Sequence, residues 1–272
     1  MENDVFKKYD DLSFTDDFLF CYILMNNEAL CIELTEMITG RKVRKIAKIH
    51  TQKAVRLTKD GKGVRFDVYF EDDERIFDIE MQTTNTGNLR KRVRYYQAMI
   101  DMDHINKGGT YNELKESYVI FICTFDLFKK NRHKYTFVNT CIEDDSLVLD
   151  DEAYKIFLCA GGNADDCSEK MKDFLDYISG KGANGVFSKK IEAEVEDAHL
   201  KEEWRSSYML LIDRDRQIKE QGREEGRIEG RIEGTIDVLR DLGSPEVRII
   251  DKLMENFNLS FAEAKNYYNM YA

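Results

Sequence analysis

Apolar and polar residues alternate with a period of two from Arg65 to Phe70 and again from Ile76 to Gln82. Successive side chains of a strand point to opposite faces, so the pattern predicts two β-strands joined by an acidic turn at Glu71 to Glu74. Phe77, Ile79 and Met81 then share one face, and Asp78, Glu80 and Gln82 line the other. In the first strand Phe66, Val68 and Phe70 alternate with Arg65, Asp67 and Tyr69. Paired as a hairpin, the two strands gather Asp67, Glu80 and Gln82 on a polar face backed by an apolar one.

Helical spacing surrounds this hairpin. Ser13 to Asn26 reads as a helix capped by Ser13 or Thr15, with Asp16 and Asp17 in the first turn, where carboxylates suit the helix dipole. A second helix runs from Glu28 to Ile38 and stops at Gly40. The stretch 43–58 predicts an edge or antiparallel strand, and Asp60-Gly61-Lys62-Gly63 a turn into the hairpin. A helix over Leu89 to Ile105 follows. The nearly continuous apolar run Tyr118 to Phe125 predicts a central strand buried on both faces. Shorter strands are expected at Tyr135 to Cys141 and Tyr154 to Leu158, and a helix over 166–179. From Lys189 the pattern becomes a long, highly charged helix with Gly222, Gly226, Gly230 and Gly234 every fourth residue, Ile228, Ile232 and Ile236 forming a second stripe. Ser244-Pro245-Glu246 restarts a helix in N-cap and N1 order, and another begins near Leu259. These elements divide the chain into a first domain at 1–188, the charged helix at 189–240 and a small helical tail at 241–272. The glycine stripe makes the long helix a candidate for homo-oligomer contacts or domain joining, the alternative being a partly frayed linker.

Composition narrows the class. Hydrophobic residues at 42% exclude a disordered chain. No apolar run approaches the roughly 18 residues of a membrane span, and residues 1–11 are polar, so a cytoplasmic location is expected. The six cysteines form no Cys-x-x-Cys pair, which points to reduced, mostly buried thiols. The net charge of -11 argues against a nucleic-acid partner until its distribution is considered. Residues 41–65 hold ten Lys or Arg against one acid, a local net of +9. Arg90, Lys91, Arg92 and Arg94 add to this after the hairpin, whereas 141–203 carries seventeen acids against seven bases. Positive charge thus brackets the hairpin.

The chemistry follows from that placement. A carboxylate pair flanked by basic clusters suits Mg²⁺, which takes one or two carboxylates, waters and substrate phosphate oxygens. A solvated sheet face accounts for the same acids without any metal. Asp16, Asp17, Glu33 and Glu36 are further candidate ligands from the first two helices. Arginines in the first turn of the helix after Glu80 are aimed at the hairpin, and arginine can hold phosphate bidentately.

Asp67, then Glu80-x-Gln82, then Arg92-Val93-Arg94-Tyr95-Tyr96-Gln97 and the apolar strand at 118–125 together resemble the PD-(D/E)XK nuclease family transposases, the Rpn family of recombination-promoting nucleases. Thr15-Asp16-Asp17-Phe18-Leu19-Phe20 is similar to that family's N-terminal motif. The resemblance covers about residues 12–160. It implies an α/β, restriction-endonuclease-like mixed sheet flanked by helices, followed here by the long C-terminal helix and helical tail. It further implies a metal-dependent DNA endonuclease using Mg²⁺, with Mn²⁺ as a substitute. Asp67, Glu80 and the Met81 backbone carbonyl would bind the metal, Asp17 would complete the site, and Lys62, Arg65, Arg90, Arg92 and Arg94 would hold DNA. Gln82 stands where the wider superfamily has Lys, and a neutral amide can orient water but cannot act as its base. Cys21 replaces a Lys that commonly follows the Phe. The alternative is a catalytically degenerate DNA-binding or assembly protein that keeps the nuclease fold.

Overall fold

The alternating stretch lies inside a six-stranded mixed sheet. In the computed structural model, which describes residues 6–46, 48–56, 62–105 and 108–271, the strands are β1 (Ile49–Val55), β2 (Val64–Glu71), β3 (Arg75–Gln82), β4 (Glu116–Cys123), β5 (Lys134–Phe137) and β6 (Ala153–Cys159). Their order is β1-β2-β3-β4-β6-β5. β3 pairs with β4, and β4 with β6, in parallel, while the remaining neighbours are antiparallel. The apolar run predicted to be central is so: β4 is buried from Ser117 to Cys123. Asp60 and Gly61 of the expected turn lie outside the described residues.

Helices cover the sheet. α1 (Asp17–Asn26) and α2 (Glu28–Thr39) precede it, α3 (Leu89–His104) crosses from β3 to β4, and α4 (Glu169–Asp176) and α5 (Val186–Leu200) follow. Leu89, Val93, Tyr96, Met99 and Ile100 of α3 pack on Phe66, Tyr69, Val119, Phe121, Cys123 and Phe157 of the sheet. Away from α3, the rings of Phe70, Phe77, Tyr118 and Tyr154 stack in sequence across β2, β3, β4 and β6, with centroids 4.9 to 5.3 Å apart. The first helix starts later than its capping residues suggest. Asp16 accepts hydrogen bonds from the Ser13 N–H and hydroxyl, closing a turn ahead of α1. Gly40 ends α2 at φ +70°, as a left-handed cap requires.

The chain divides into two compact units, Met1–Arg205 and Ser206–Ala272. The single charged helix expected from residue 189 is two helices, α5 and α6 (Glu202–Asp241), separated at Lys201, whose backbone is extended. α5 begins three residues early because Phe187, Ile191, Val195 and Ala198 are buried within the first unit. In the second unit α6 packs with α7 (Glu246–Phe257) and α8 (Phe261–Tyr271) around Ile232, Ile236, Ile249, Ile250, Leu253 and Ala264. Pro245 caps α7 rather than occupying its first turn. All six cysteines are free, four of them buried. Among the described residues no single helix is long and apolar enough to cross a membrane.

Candidate active site

Strict alternation fails in β2 at the residue that matters most. Backbone pairing of β2 with β3 runs from Glu71 opposite Ile76 to Val68 opposite Ile79 and stops there. β1 pairing also skips the next position, where Gln52 has φ +51°. Phe66 and Tyr69 consequently fall in one cluster beneath α3, their ring centroids 5.5 Å apart, rather than on opposite faces. Beyond the last backbone pair, side chains take over the hydrogen bonding. The Asp67 N–H donates to Glu80 Oε1 at 2.8 Å, and the Met81 N–H donates to Asp67 Oδ2 at 3.2 Å. Each carboxylate thus satisfies a buried donor that the opposite strand no longer reaches.

Burial rules out a solvated sheet face. Asp67 is 8% exposed, and Asp78 and Glu80 are 0% exposed. Burial, with the neighbouring charges of Glu80 and Asp17, holds the Asp67 carboxyl well above its ordinary range. Burial also pushes Glu80 up to about 7, against the opposing pull of Arg92 and the Asp67 N–H. Asp78 is raised by burial and then by the charge of Glu80, and neither of its oxygens has a hydrogen-bond partner among the described residues. Sequence alternation placed Asp78 on this face but gave it no role.

α3 supplies the cation. Arg92 Nη2 donates to Glu80 Oε2 at 2.7 Å, and Nη1 donates to Gln82 Oε1 at 3.3 Å. The Gln82 amide turns back on the Met81 carbonyl, donating to it at 2.8 Å. α1 supplies Asp17. Its carboxylate, the Cys21 sulfur and the Asp67 carboxylate each place one atom within 4.8 Å of the others. Burial and adjacent carboxylates push the Cys21 thiol up, so it remains a neutral donor, to the Asp67 carbonyl at 3.3 Å and Asp17 Oδ1 at 3.7 Å. A hard oxygen pair with two more carboxyl groups behind it fits a hard divalent cation better than a soft one.

A cleft of about 530 Å³ opens over Asp67, lined by Lys62, Arg65, Lys91, Arg92, Arg94 and Tyr96 among others. Lys62, Lys91 and Arg94 have no ion-pair partner among the described residues. Arg90, expected here, is not part of the lining and lies over the Phe128 ring. The other candidate acids are occupied elsewhere: Asp16 by Lys7, Glu33 by Lys170 and Lys190, and Glu36 by Lys42. Lys91 lines the cleft although sequence reasoning passed over it. A separate group, His133, Asp166 and Cys167, is a loop tie, because Asp166 accepts both the His133 N–H and a contact from its Nδ1 at 2.9 Å.

No curated protein and no solved structure matches the chain. The family model for PD-(D/E)XK nuclease family transposases matches residues 14–158, from the segment leading into α1 to the end of β6, and so spans Asp17, Asp67, Glu80 and Arg92. With more than half of its length under that model and the mixed sheet that the fold requires, the chain belongs to the PD-(D/E)XK nuclease family transposases.

Proposed function

We propose that the protein is a metal-dependent DNA endonuclease of the recombination-promoting type. One observation supports this above the others: buried Asp67, with Asp17 beside it, lines a cleft whose Lys62, Lys91 and Arg94 have no ion-pair partner among the described residues and suit a phosphate backbone. Asp67 and Asp17, with Glu80 and the Met81 carbonyl, would hold Mg²⁺ or Mn²⁺. When bound, such an ion offsets phosphate charge and acidifies its water. Glu80 fixes Asp67 through the Asp67 N–H, and Asp67 in turn holds Met81. Lys62, Arg65, Lys91 and Arg94 position the DNA strand. Gln82 offers no basic site to take a proton from water and serves to orient neighbours by hydrogen bonds. A DNA substrate accords with the cytoplasmic location expected from the sequence. The glycine stripe of α6 would join two copies, since nothing described lies within 4 Å of a side chain added at Gly222, Gly226, Gly230 or Gly234.

Purified protein with Mg²⁺ should nick supercoiled plasmid, and Asp67→Ala or Glu80→Ala should reduce nicking by at least about 10³-fold. Cleavage that survives both substitutions sinks the assignment. Salt-sensitive DNA binding without cleavage by the unaltered protein would instead identify a degenerate site on a retained fold.

A further inference from the structure

We infer that Arg92, although it lines the cleft, is a positioning residue that sets Glu80 and Gln82 and does not contact substrate phosphate. The inference rests on the metal-site reading above. Arg92 lies in the first turn of α3, and its guanidinium is already committed on several sides. Nη2 donates to Glu80 Oε2 at 2.7 Å and to the Tyr96 hydroxyl at 2.7 Å. Nε donates to the same hydroxyl at 2.9 Å, and Nη1 donates to Gln82 Oε1 at 3.3 Å. Of five guanidinium N–H groups, four have acceptors. Its central carbon, Cζ, lies 4.9 Å from the Tyr96 ring centroid and 5.4 Å from that of Phe121.

The fork that would grip a phosphate is therefore the one gripping Glu80 and Gln82. Releasing it would leave the Glu80 carboxylate, which is 0% exposed, without its counter-ion. Lys91 and Arg94 on the same helix have no such commitment among the described residues and also line the cleft. Tyr96 extends the brace, because its hydroxyl reaches the Arg65 carbonyl at 3.4 Å and so ties α3 to β2 as well as β3. A chain of contacts then runs from Tyr96 through Arg92 and Glu80 to the Asp67 N–H. Both Glu80 oxygens are fixed in direction, and each keeps a lone pair. Partners of this kind around a metal ligand typically govern metal affinity about 10- to 100-fold.

The test separates metal binding from DNA binding in the full-length protein. Mn²⁺ binding without DNA is followed by electron paramagnetic resonance. DNA binding is followed in EDTA as a function of KCl. Arg92→Gln should weaken Mn²⁺ binding by about 10-fold or more while leaving the slope of log K against log[KCl] unchanged. Arg94→Ala should do the reverse, lowering the slope by about 0.9 with Mn²⁺ binding intact. Arg92→Lys keeps the charge but not the fork, and should still bind Mn²⁺ more weakly than the unaltered protein. Tyr96→Phe should weaken Mn²⁺ binding in the same direction and add little to Arg92→Lys. The inference is overturned if Arg92→Gln lowers the salt slope as Arg94→Ala does, or if Arg92→Lys binds Mn²⁺ normally. Absence of Mn²⁺ binding by the unaltered protein overturns the metal site itself, and the inference with it.

Discussion

Asp78 shows what a single residue contributes here. It is fully buried, and that burial, followed by the charges of Glu80 and Asp67, raises its carboxyl well above the ordinary range. Asp78→Asn removes the titrating group at nearly constant shape, and should change the unfolding free energy measured in urea at neutral pH by less than about 1 kcal/mol. A gain of several kcal/mol would show instead that a buried charge had been relieved. Residues of this site were legible to differing degrees. Alternation along β3 put Asp78, Glu80 and Gln82 on one face, which is a local property of a strand. What covers that face is a long-range fact, and α3 closes it off. Asp17 reaches Asp67 across fifty residues of sequence, so the motif it shares with its family pointed to it where spacing could not. Arg92 read as one of several cleft cations, because sequence does not reveal which arginine of a helical turn faces a buried acid.

Among the elements, existence and type were read more reliably than ends. β5 runs over Lys134–Phe137 and so covers only the first three residues of the strand predicted at Tyr135 to Cys141, and the charged C-terminal run is interrupted at Lys201. Periodicity is blind to both, since it records which residues could continue an element and not where tertiary packing stops it. The four spaced glycines of α6 were correctly placed in a helix. Their surroundings are open among the described residues, so alanine at all four meets no obstruction. Each replacement removes about 0.8–1 kcal/mol of helix penalty. Because the stripe is proposed to join two copies, the added methyl groups should outweigh that gain: the quadruple variant should lose the dimer in sedimentation and melt at lower temperature when followed by circular dichroism at 222 nm. A higher melting point with the mass unchanged would show that no second helix packs on the stripe.

At the scale of the whole molecule, three buried acids make stability depend on pH in an uncommon direction. Glu80 ionises at about 7 in the fold against an ordinary value of 4.5, and Asp67 and Asp78 are also raised. An acid with a raised folded pKa binds more protons in the native than in the unfolded state, so its contribution to stability falls as pH rises through that interval. Without divalent metal the thermal midpoint should decline from about pH 5 to about pH 8, and the increment gained from Mg²⁺, which requires ionised carboxylates, should grow over the same range. A midpoint that rises over that range in EDTA contradicts this arrangement of charges. The same acids also hold β2 to β3 where backbone pairing ends, through the Asp67 and Met81 N–H groups. Loss of either acid orphans a buried donor, at a cost of about 1–3 kcal/mol. Asp67 and Glu80 thus have a part in closing the sheet that is separate from any part in cleavage, and their presence in a chain is by itself no sign that the chain cuts DNA.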